Sequence, residues 1–451
     1  MASQFSLLGK RRFLPMFLTQ FLGAFNDNVF KQALLLLLTY HAAQQLNMSN
    51  SLLNNLAALL FILPFFLFSA TAGQVADKYE KSMLIRRLKI IEIIVMALAT
   101  IGFLLQQYAL LLLALFLMGA HSSLFGPVKY AYLPQALPAD ELVAGNALFQ
   151  SGTSISILTG TMLGGVLILS GDLEQTLLWT SCTVMLIAVL GWLASRHIPA
   201  LAANNPDLKI DWNIVRTSTQ TLRAAWHLRG VFSAMLGISW YWYYGATFLT
   251  QIPEFTKKIL FADAGVVTFL LTLFTIGVAT GSLLCKRLLR NQISLKLLPV
   301  GLAGLSVFAF DLYFSLNHLP QVLPNPLTQQ IELQNLAQVL AQSDYWRVFI
   351  DLLGLGLFGG FYIVPLYAVM QAHAPAQSRA QVIAANNILN ALFMVVSAIV
   401  AIVILSTLGH ALPVLFVFTG LLNLLVGGFV FTQTRKHLKP LLLGAQSKPK
   451  A

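Results

Sequence analysis

Twelve stretches of about twenty mostly apolar residues, separated by polar segments, constrain this 451-residue chain more than any other feature. A helix needs about that length to cross the hydrocarbon core of a bilayer. Charged residues make up 10% of the chain and hydrophobic ones 57%, whereas a soluble domain carries about 25% charged residues. The sequence therefore predicts an all-α membrane protein with twelve transmembrane helices, at 13–40, 51–72, 83–105, 108–133, 142–170, 175–195, 231–253, 264–285, 295–316, 346–371, 380–407 and 411–433.

A polar stretch from Arg196 to Gly230 divides these helices into two sets of six. It contains DWNIVRTSTQTLRAAWHLRG, which predicts an amphipathic helix on the inner leaflet with its arginines near anionic headgroups. Two pseudo-symmetric sets of six helices are the plan of a transporter built from parallel repeats. We expect an N-terminal six-helix bundle, a cytoplasmic linker, a C-terminal six-helix bundle and a cytoplasmic tail, at 1–195, 196–230, 231–433 and 434–451.

Most of the 28 lysines and arginines lie in alternate segments between the helices, including 10–12, 78–89, 196–229, 286–296 and the C-terminal tail. The positive-inside rule places these segments and both termini in the cytoplasm. Because the basic residues do not form a stripe interleaved with aromatic ones, the net charge of +12 does not indicate a nucleic-acid partner.

The two halves carry related sequences at matching places. GQVADKYEKSMLIRR (Gly73–Arg87) and GSLLCKRLLR (Gly281–Arg290) share the pattern G-x-x-x-[D/C]-K. GPVKYAYLPQALPADELVAGN is echoed by VPLYAVMQAHAPAQSRAQVIAANN. The loop that begins at Gly73 resembles the signature loop of the major facilitator superfamily, and this resemblance implies the fold of that superfamily.

The same loop suggests a conformational latch. A glycine lets helix ends approach closely, and a carboxylate is able to accept hydrogen bonds from the N–H groups at a helix N-terminus. The alternative is that the basic residues only set topology. The loop also departs from the superfamily pattern, because Glu80, Lys81 and Ser82 occupy the region of a usual later glycine. The predicted latch residues are Gly73, Asp77, Lys78, Arg86 and Arg87.

Asp27 is an ionisable residue close to the middle of the first helix, where a charge is costly unless it faces a cavity or a partner. Gln20, Asp27 and Lys31 share one helix face at i, i+7 and i+11, and Asn26 and Asn28 flank that face. Asp27 and Lys31 alone would form a self-neutralising pair. The neighbouring amides favour a water-lined cavity that binds Na⁺ or a proton.

Further polar residues fall near helix ends. Lys129 follows Gly126 and Pro127, and it either faces a cavity or extends to the inner headgroups. Amides open the fifth and eleventh helices at corresponding positions, where they either bond between helices or line a cavity. They are Asn146, Gln150, Asn386, Asn387 and Asn390.

Three strings, QFLGAFNDN, GPVKY and GGFYIVPLYAVMQ, resemble the bacterial lysophospholipid transporter family. They equally resemble the transporter domain fused to acyltransferase–acyl-carrier-protein synthetases. This resemblance implies that Asp27 and Asn28 couple a cation and that Lys129 contacts a headgroup. Tyr362 and Tyr367, which lie in the third string, are further candidates either for cavity lining or for polar contacts between helices. The seventh helix departs from the stand-alone members of the family, because Trp240–Gln251 contains no basic residue and Lys31 is then the candidate substitute.

We therefore predict a secondary transporter, not an enzyme, in the bacterial inner membrane. It would move lysophospholipids from the outer to the inner leaflet by alternating access, coupled to Na⁺ or protons. Expected partners are lysophospholipid, the coupling ion, membrane lipids and an acyltransferase or acyl-carrier-protein synthetase; no cofactor, nucleic acid or metal other than Na⁺ at Asp27 and Asn28 is expected.

Three other functions stay open. One is transport of another amphiphile, a drug or a siderophore. Another is a membrane acyltransferase or lipid hydrolase, against which the sequence offers no G-x-S-x-G elbow and no metal-ligand cluster. The last is a non-transporting scaffold for an acyltransferase.

Overall fold

The computed structural model describes residues 4–38, 50–169, 172–290, 292–319, 333–409 and 411–442. A 3₁₀ turn at Gln4–Gly9 precedes the first α-helix, and a π turn at Val403–Thr407 follows the thirteenth. Residues 443–451 of the predicted tail lie outside the described residues. The α-helices of the described part are α1 (Leu14–Leu37), α2 (Asn50–Lys78), α3 (Lys81–Leu104), α4 (Tyr108–Ala136), α5 (Ala139–Leu169), α6 (Leu173–Ser195), α7 (Ile214–His227), α8 (Arg229–Lys258), α9 (Ala264–Leu288), α10 (Leu298–Asn317), α11 (Leu336–Ala341), α12 (Trp346–His373), α13 (Arg379–Ile402) and α14 (Leu412–Leu442).

Nine helices in the described part of the chain are long and apolar enough to cross a membrane. The three other predicted spans coincide with α1, α3 and α8. Charges and amides lower the hydropathy of α1, basic residues that of α3, and a tyrosine and tryptophan cluster that of α8. Twelve long helices thus match the twelve predicted spans, and the predicted all-α fold is confirmed.

One boundary prediction was wrong. The predicted loop between the second and third spans, residues 73–82, is shorter than expected, because α2 continues to Lys78 and α3 already begins at Lys81. The physical reason is the N-cap of α3. The Glu80 side chain accepts hydrogen bonds from the N–H groups of Ser82 and Met83, at 2.7 and 2.8 Å, so only Tyr79 and Glu80 separate the two helices.

The first of two compact units comprises Met1–Phe232 and Gln371–Ala391. In it α1 packs on α5 and α6, α2 on α4, and α3 on α4 and α6. Small residues allow the close contact of α1 with α5. A Cβ atom on Gly160 would lie 2.6 Å from the Phe25 carbonyl oxygen, and one on Gly164 would lie 2.5 Å from that of Val29.

The second unit comprises Ser233–Met370 and Leu392–Ala451. Its helices repeat a contact of the first unit. In the first unit Gly119 of α4 abuts the Phe61 carbonyl of α2, and in the second Gly356 of α12 abuts the Phe274 carbonyl of α9. Because α2 and α4 are the second and fourth long helices of their half, and α9 and α12 hold the same places in theirs, this contact follows the predicted repeat.

The linker leads from α6 along the end of α2 into α7. The Asn205 N–H donates to the Asp77 carbonyl at 2.9 Å, and the Asp211 N–H donates to Gln74 Oε1 at 2.8 Å. Asn213 then caps α7 by accepting from the Arg216 N–H at 3.0 Å. The predicted amphipathic segment is therefore helical over Ile214–His227. The irregular residues that precede it are hydrogen-bonded to α2.

Candidate functional site

Asp27 of α1 is held by α4. Ser122 Oγ donates to Asp27 Oδ2 at 2.9 Å. The other carboxylate oxygen, Oδ1, is buried and has no hydrogen-bond partner among the described residues. A buried acceptor without a donor is costly unless water or an ion satisfies it. This oxygen therefore makes Asp27 the candidate ion ligand of the first unit.

A second acidic group lies on the other side of Asn26. Asn26 Nδ2 donates to Glu92 Oε1 at 3.2 Å, and the ammonium of Lys89 is ion-paired with Glu92 Oε2. The imidazole Nε2 of His121 lies 3.6 Å from the same oxygen. All four side chains are buried. Glu92 is thus contacted by Asn26 of α1 and His121 of α4, while Asp27, next to Asn26, is bonded to Ser122, next to His121.

Lys89 fits between helices because two glycines leave room for it. A Cβ atom on Gly191 of α6 would lie 2.7 Å from Lys89 Nζ, and one on Gly23 of α1 would lie 3.4 Å from that atom. The pairing of Lys89 with Glu92 neutralises both charges inside the bundle, where an unpaired charge would be strongly destabilising.

Lys31 and Lys129 both stand over aromatic rings. Lys31 Nζ lies 4.5 Å from the centroid of Phe61, and Lys129 Nζ lies 4.9 Å from that of Tyr130. Within the described residues Asp27 and Lys31 form no ion pair within 4.0 Å, so the self-neutralising pair is not made as a contact.

The remaining residues predicted around Asp27 contact α1 and α5. Asn28 Nδ2 donates to the Ala24 carbonyl at 2.7 Å, and Gln20 Oε1 accepts from Thr153 Oγ1 at 3.1 Å. A sodium ion prefers oxygen ligands. Asp27 Oδ1 is a suitable anionic ligand, and Asn28 has its amide oxygen to contribute because its amide nitrogen is already bonded.

The predicted amides form contacts in two places within the first unit. Asn146 of α5 and Gln371 of α12 make a reciprocal pair, with Nδ2 to Oε1 at 2.8 Å and Nε2 to Oδ1 at 3.0 Å. Asn387 of α13 presses its Nδ2 against Gly126, where a Cβ atom would lie 2.6 Å away. Gln150, Asn386 and Asn390 are also buried.

Asp77 lies at the N-terminus of α13. Its carboxylate accepts from the N–H groups of Ala380 and Gln381, at 3.0 and 3.1 Å, and from Asn204 Nδ2 at 3.1 Å. Gly73 permits this approach, because a Cβ atom there would lie 2.7 Å from that of Ala384. Two N–H groups at a helix start and one carboxylate are a favourable electrostatic arrangement.

The basic residues predicted for the latch have other contacts. Lys78 Nζ lies 5.9 Å from the centroid of the Tyr79 ring. Arg86 Nη2 donates to Ser82 Oγ at 3.2 Å and to the Ile198 carbonyl at 3.1 Å. Arg87 is exposed. The side chain that contacts α13 is therefore Asp77, with Gly73 beside it.

Tyr362 and Tyr367 of α12 lie in the second unit, among aromatic residues of α8. Both are buried, and Tyr367 accepts a long hydrogen bond of 3.4 Å from Trp242 Nε1. The Tyr362 hydroxyl has no hydrogen-bond partner within the described residues and lies 3.0 Å from the place of a Cβ on Gly237. Within α8, Trp240 and Tyr243 stack with ring centroids 4.6 Å apart.

Sequence reasoning missed Ser122, His121 and the capping role of Glu80. Ser122 and His121 are single polar residues in an apolar run, and no spacing rule links them to α1. Glu80 was hard to detect, since N-cap positions prefer Ser, Thr, Asp and Asn over Glu. Partial burial raises the pKa of Glu80, but hydrogen bonds from the N–H groups of Leu201, Ser82 and Met83 outweigh it and lower the pKa overall.

This arrangement of paired intramembrane charges in a repeated twelve-helix chain defines a membrane transporter, and comparison with known families agrees. The model of the Major Facilitator Superfamily matches residues 16–322. The chain therefore belongs to that superfamily. Two solved structures share the fold: the human organic anion transporter MFSD10, with a TM-score of 0.69, 14% identity and coverage of 93% of this chain and 99% of that chain, and the E. coli fucose:proton symporter FucP, with a TM-score of 0.67, 13% identity and coverage of 94% and 99%.

Among curated proteins, the chain is similar to the lysophospholipid transporter LplT of Photorhabdus laumondii subsp. laumondii. The two are 27% identical over 364 residues, which cover 78% of each chain. LplT of Cronobacter sakazakii is 25% identical over 370 residues, which cover 81% of each. The predicted superfamily, its fold and the resemblance to lysophospholipid transporters are confirmed.

Proposed function

We propose that this transporter moves lysophospholipids inward across the bacterial inner membrane, from the outer to the inner leaflet, by alternating access coupled to Na⁺ or protons. Both termini are then cytoplasmic, as the positive-inside rule requires. An acyltransferase or acyl-carrier-protein synthetase is the expected consumer of the product, because a lysolipid lacks one acyl chain.

The observation that carries this proposal is the environment of Asp27. One carboxylate oxygen is bonded to Ser122 and the other is buried without a partner. Intramembrane carboxylates of this kind mark ion and proton pathways. We therefore assign ion coupling to Asp27, with the amide oxygen of Asn28 as a further ligand.

Lys129 supports a lipid substrate with an anionic phosphate. Its ammonium lies against the Tyr130 ring, 4.9 Å from the ring centroid. We propose that it binds the phosphate of the headgroup, and that Lys31 supplies the second positive charge that the seventh helix lacks. The acyl chain requires only apolar and aromatic surface, which the Leu-rich and Phe-rich helices supply.

Reconstituted protein tests the proposal. Labelled lysophosphatidylethanolamine is offered outside vesicles under an imposed Na⁺ gradient, an imposed proton gradient, or neither. We expect at least one gradient to accelerate uptake, and Asp27→Asn to lower the coupled rate at least about tenfold, which corresponds to only ~1.4 kcal/mol.

Asp140→Asn is the matched control, since Asp140 is an exposed aspartate of the same unit. Uptake by Asp27→Asn at the rate of Asp140→Asn would remove the coupling role of Asp27. If a drug or siderophore inhibited lysolipid uptake at a lower concentration than unlabelled lysolipid does, the substrate assignment would be wrong and that compound would be the better candidate. Turnover of the lipid, seen by mass spectrometry, would contradict a transporter without enzymatic activity.

A further inference from the structure

The linker helix α7 packs on the first unit through its polar side. Thr217, Thr221 and Ala225, spaced four residues apart, are buried, and α7 contacts α2. Small side chains at this spacing allow one helix to lie closely against another. The buried seam of this amphipathic helix is therefore made of threonine and alanine, and its large apolar side chains lie elsewhere.

Three of those apolar side chains are largely exposed, although one edge of the Trp226 ring contacts Phe232. Trp212 is 71% exposed, Val215 73% and Trp226 64%. Val215, Leu222 and Trp226 occur at i, i+7 and i+11, which places them on one stripe of the helix. A helix facing only water would show the opposite distribution, with its apolar stripe buried.

Positive charge borders this stripe. Arg216 and Arg223 lie about 80–100° around the helix from Val215, at about 100° per residue. Arg216 Nε is ion-paired with Asp211 Oδ2 at 2.5 Å, whereas Arg223 is exposed. The stretch 212–229 contains three arginines and no acidic residue.

We propose that this face of α7, formed by Trp212, Val215, Leu222, Arg223 and Trp226, binds anionic phospholipids of the cytoplasmic leaflet. Tryptophan favours the boundary between headgroups and acyl chains. Arginine next to it is attracted to phosphate-rich surfaces. A lipid surface is favoured over a protein partner because only Leu228 separates α7 from the long helix α8, which matches a predicted span.

Lipid binding at this face should also affect α2, because hydrogen bonds connect α2 to the residues that lead into α7. The chain leading into α7 is hydrogen-bonded to Gln74 and to the carbonyl of Asp77. The carboxylate of Asp77 holds the N-terminus of α13. Anionic lipid at α7 therefore stabilises the α2 end in its observed arrangement. This consequence is independent of which substrate is transported.

The test uses the full chain with Cys182, which is exposed, replaced by serine; Cys285 is buried. Val215→Cys and Ala224→Cys each receive an environment-sensitive fluorophore. Ala224 is exposed and lies nine residues from Val215, on the opposite side of the helix. The two labelled proteins are reconstituted in vesicles of phosphatidylcholine alone or with added phosphatidylglycerol.

We expect a blue-shifted emission at position 215 in vesicles containing phosphatidylglycerol, with a smaller shift in phosphatidylcholine alone. Salt should diminish the difference, because it screens exposed charges. Position 224 should report water in every condition. Arg223→Gln should reduce the phosphatidylglycerol-dependent part of the shift at position 215, and Gln220→Lys, an added charge further from the stripe, should leave it unchanged.

Equal emission at positions 215 and 224 in both vesicles would overturn the proposal. So would a position 215 that reports water in vesicles and becomes apolar only when a soluble protein is added. Should Val215→Cys fail to fold, brominated lipids provide the second measurement. We expect brominated lipids to quench part of the tryptophan fluorescence and Trp226→Phe to remove some of that quenching. Quenching that is the same in the wild type and in Trp226→Phe would also overturn the proposal.

Discussion

The buried charges of the first unit are arranged as two neighbouring groups. Asp27 bonds to Ser122, and Glu92 bonds to Asn26 and Lys89. Inside a lipid-embedded bundle, each ionised group must find a partner because no bulk water is present. The two groups differ in this respect. Both oxygens of Glu92 have partners, whereas Asp27 keeps one buried oxygen without a partner among the described residues, and this difference is why we propose the coupling role for Asp27 and not for Glu92.

Removing the Glu92 charge should therefore damage the fold. Glu92→Gln leaves Lys89 charged and buried, and breaking a buried pair in this way costs roughly 3–5 kcal/mol. The double variant Lys89→Met with Glu92→Gln should recover most of that loss, because no unpaired charge remains. Thermal unfolding in detergent measures both. A double variant less stable than Glu92→Gln alone would contradict the structural assignment.

Glu80 should make the helix junction sensitive to acid. Its pKa is lowered in the folded protein by hydrogen bonds from backbone N–H groups. A group with a lowered folded pKa contributes stability that is present above its unfolded pKa, near 4.5, and that is lost as the pH falls through the folded value. Glu80→Gln should remove this acid-dependent loss. Thermal unfolding between neutral and acidic pH measures the difference.

Glu80→Ala provides the other half of this test. Loss of the N-cap should cost about 1 kcal/mol at neutral pH. If the wild type and Glu80→Gln lost the same amount of thermal stability between neutral and acidic pH, a group other than Glu80 would determine the acid sensitivity.

At the scale of elements, one helix end holds another. The last turn of α2 brings Asp77 to the first N–H groups of α13, and Gly73 removes the side chain that would keep the helices apart. The reciprocal pair of Asn146 and Gln371 joins α5 to the end of α12 in the same unit. These contacts have the geometry that a latch requires, and alternating access predicts that they open once in each cycle.

Asp77→Asn should weaken this contact, since asparagine keeps an acceptor oxygen but loses the charge that favours a helix N-terminus. A loss of about 1–2 kcal/mol corresponds to a roughly 5- to 30-fold change in the open population. The measurement is the rate of maleimide labelling at Val382→Cys, a buried position next to the contact, in a background without other cysteines.

Asp172→Asn is the matched control for this element. Asp172 is also an N-cap aspartate, of α6, but its side chain makes no cap hydrogen bond. Labelling at position 382 should be unchanged by it. Equal labelling rates in Asp77→Asn and the wild type would contradict the latch.

At the scale of the whole molecule, the alternation of basic and neutral segments between the helices predicts the orientation of the chain in the membrane. The twelve-helix superfamily fold is shown by its relatives, while the sidedness is a prediction from the distribution of lysine and arginine. Because α7 belongs to the basic linker and Asp344 to the segment between α10 and α12, the two should face opposite sides of the membrane.

Ala224→Cys and Asp344→Cys test this sidedness, since both native residues are exposed. A membrane-impermeant maleimide added to intact spheroplasts should label position 344 at once. Position 224 should be labelled only after permeabilisation. The reverse pattern would place both termini outside.

The sequence by itself determined the number and approximate placement of the helices, the division into two repeats and the superfamily, and it singled out Asp27 as a candidate. These properties depend on hydropathy, length and local spacing, which a single chain displays directly. Only the tertiary structure decided that Ser122 binds Asp27, that Asn26 binds Glu92, and that the apolar side of α7 is the exposed one. Each of these depends on which faces of distant helices meet, and because an amphipathic pattern shows only that a helix has two faces, packing had to determine which face each partner occupies.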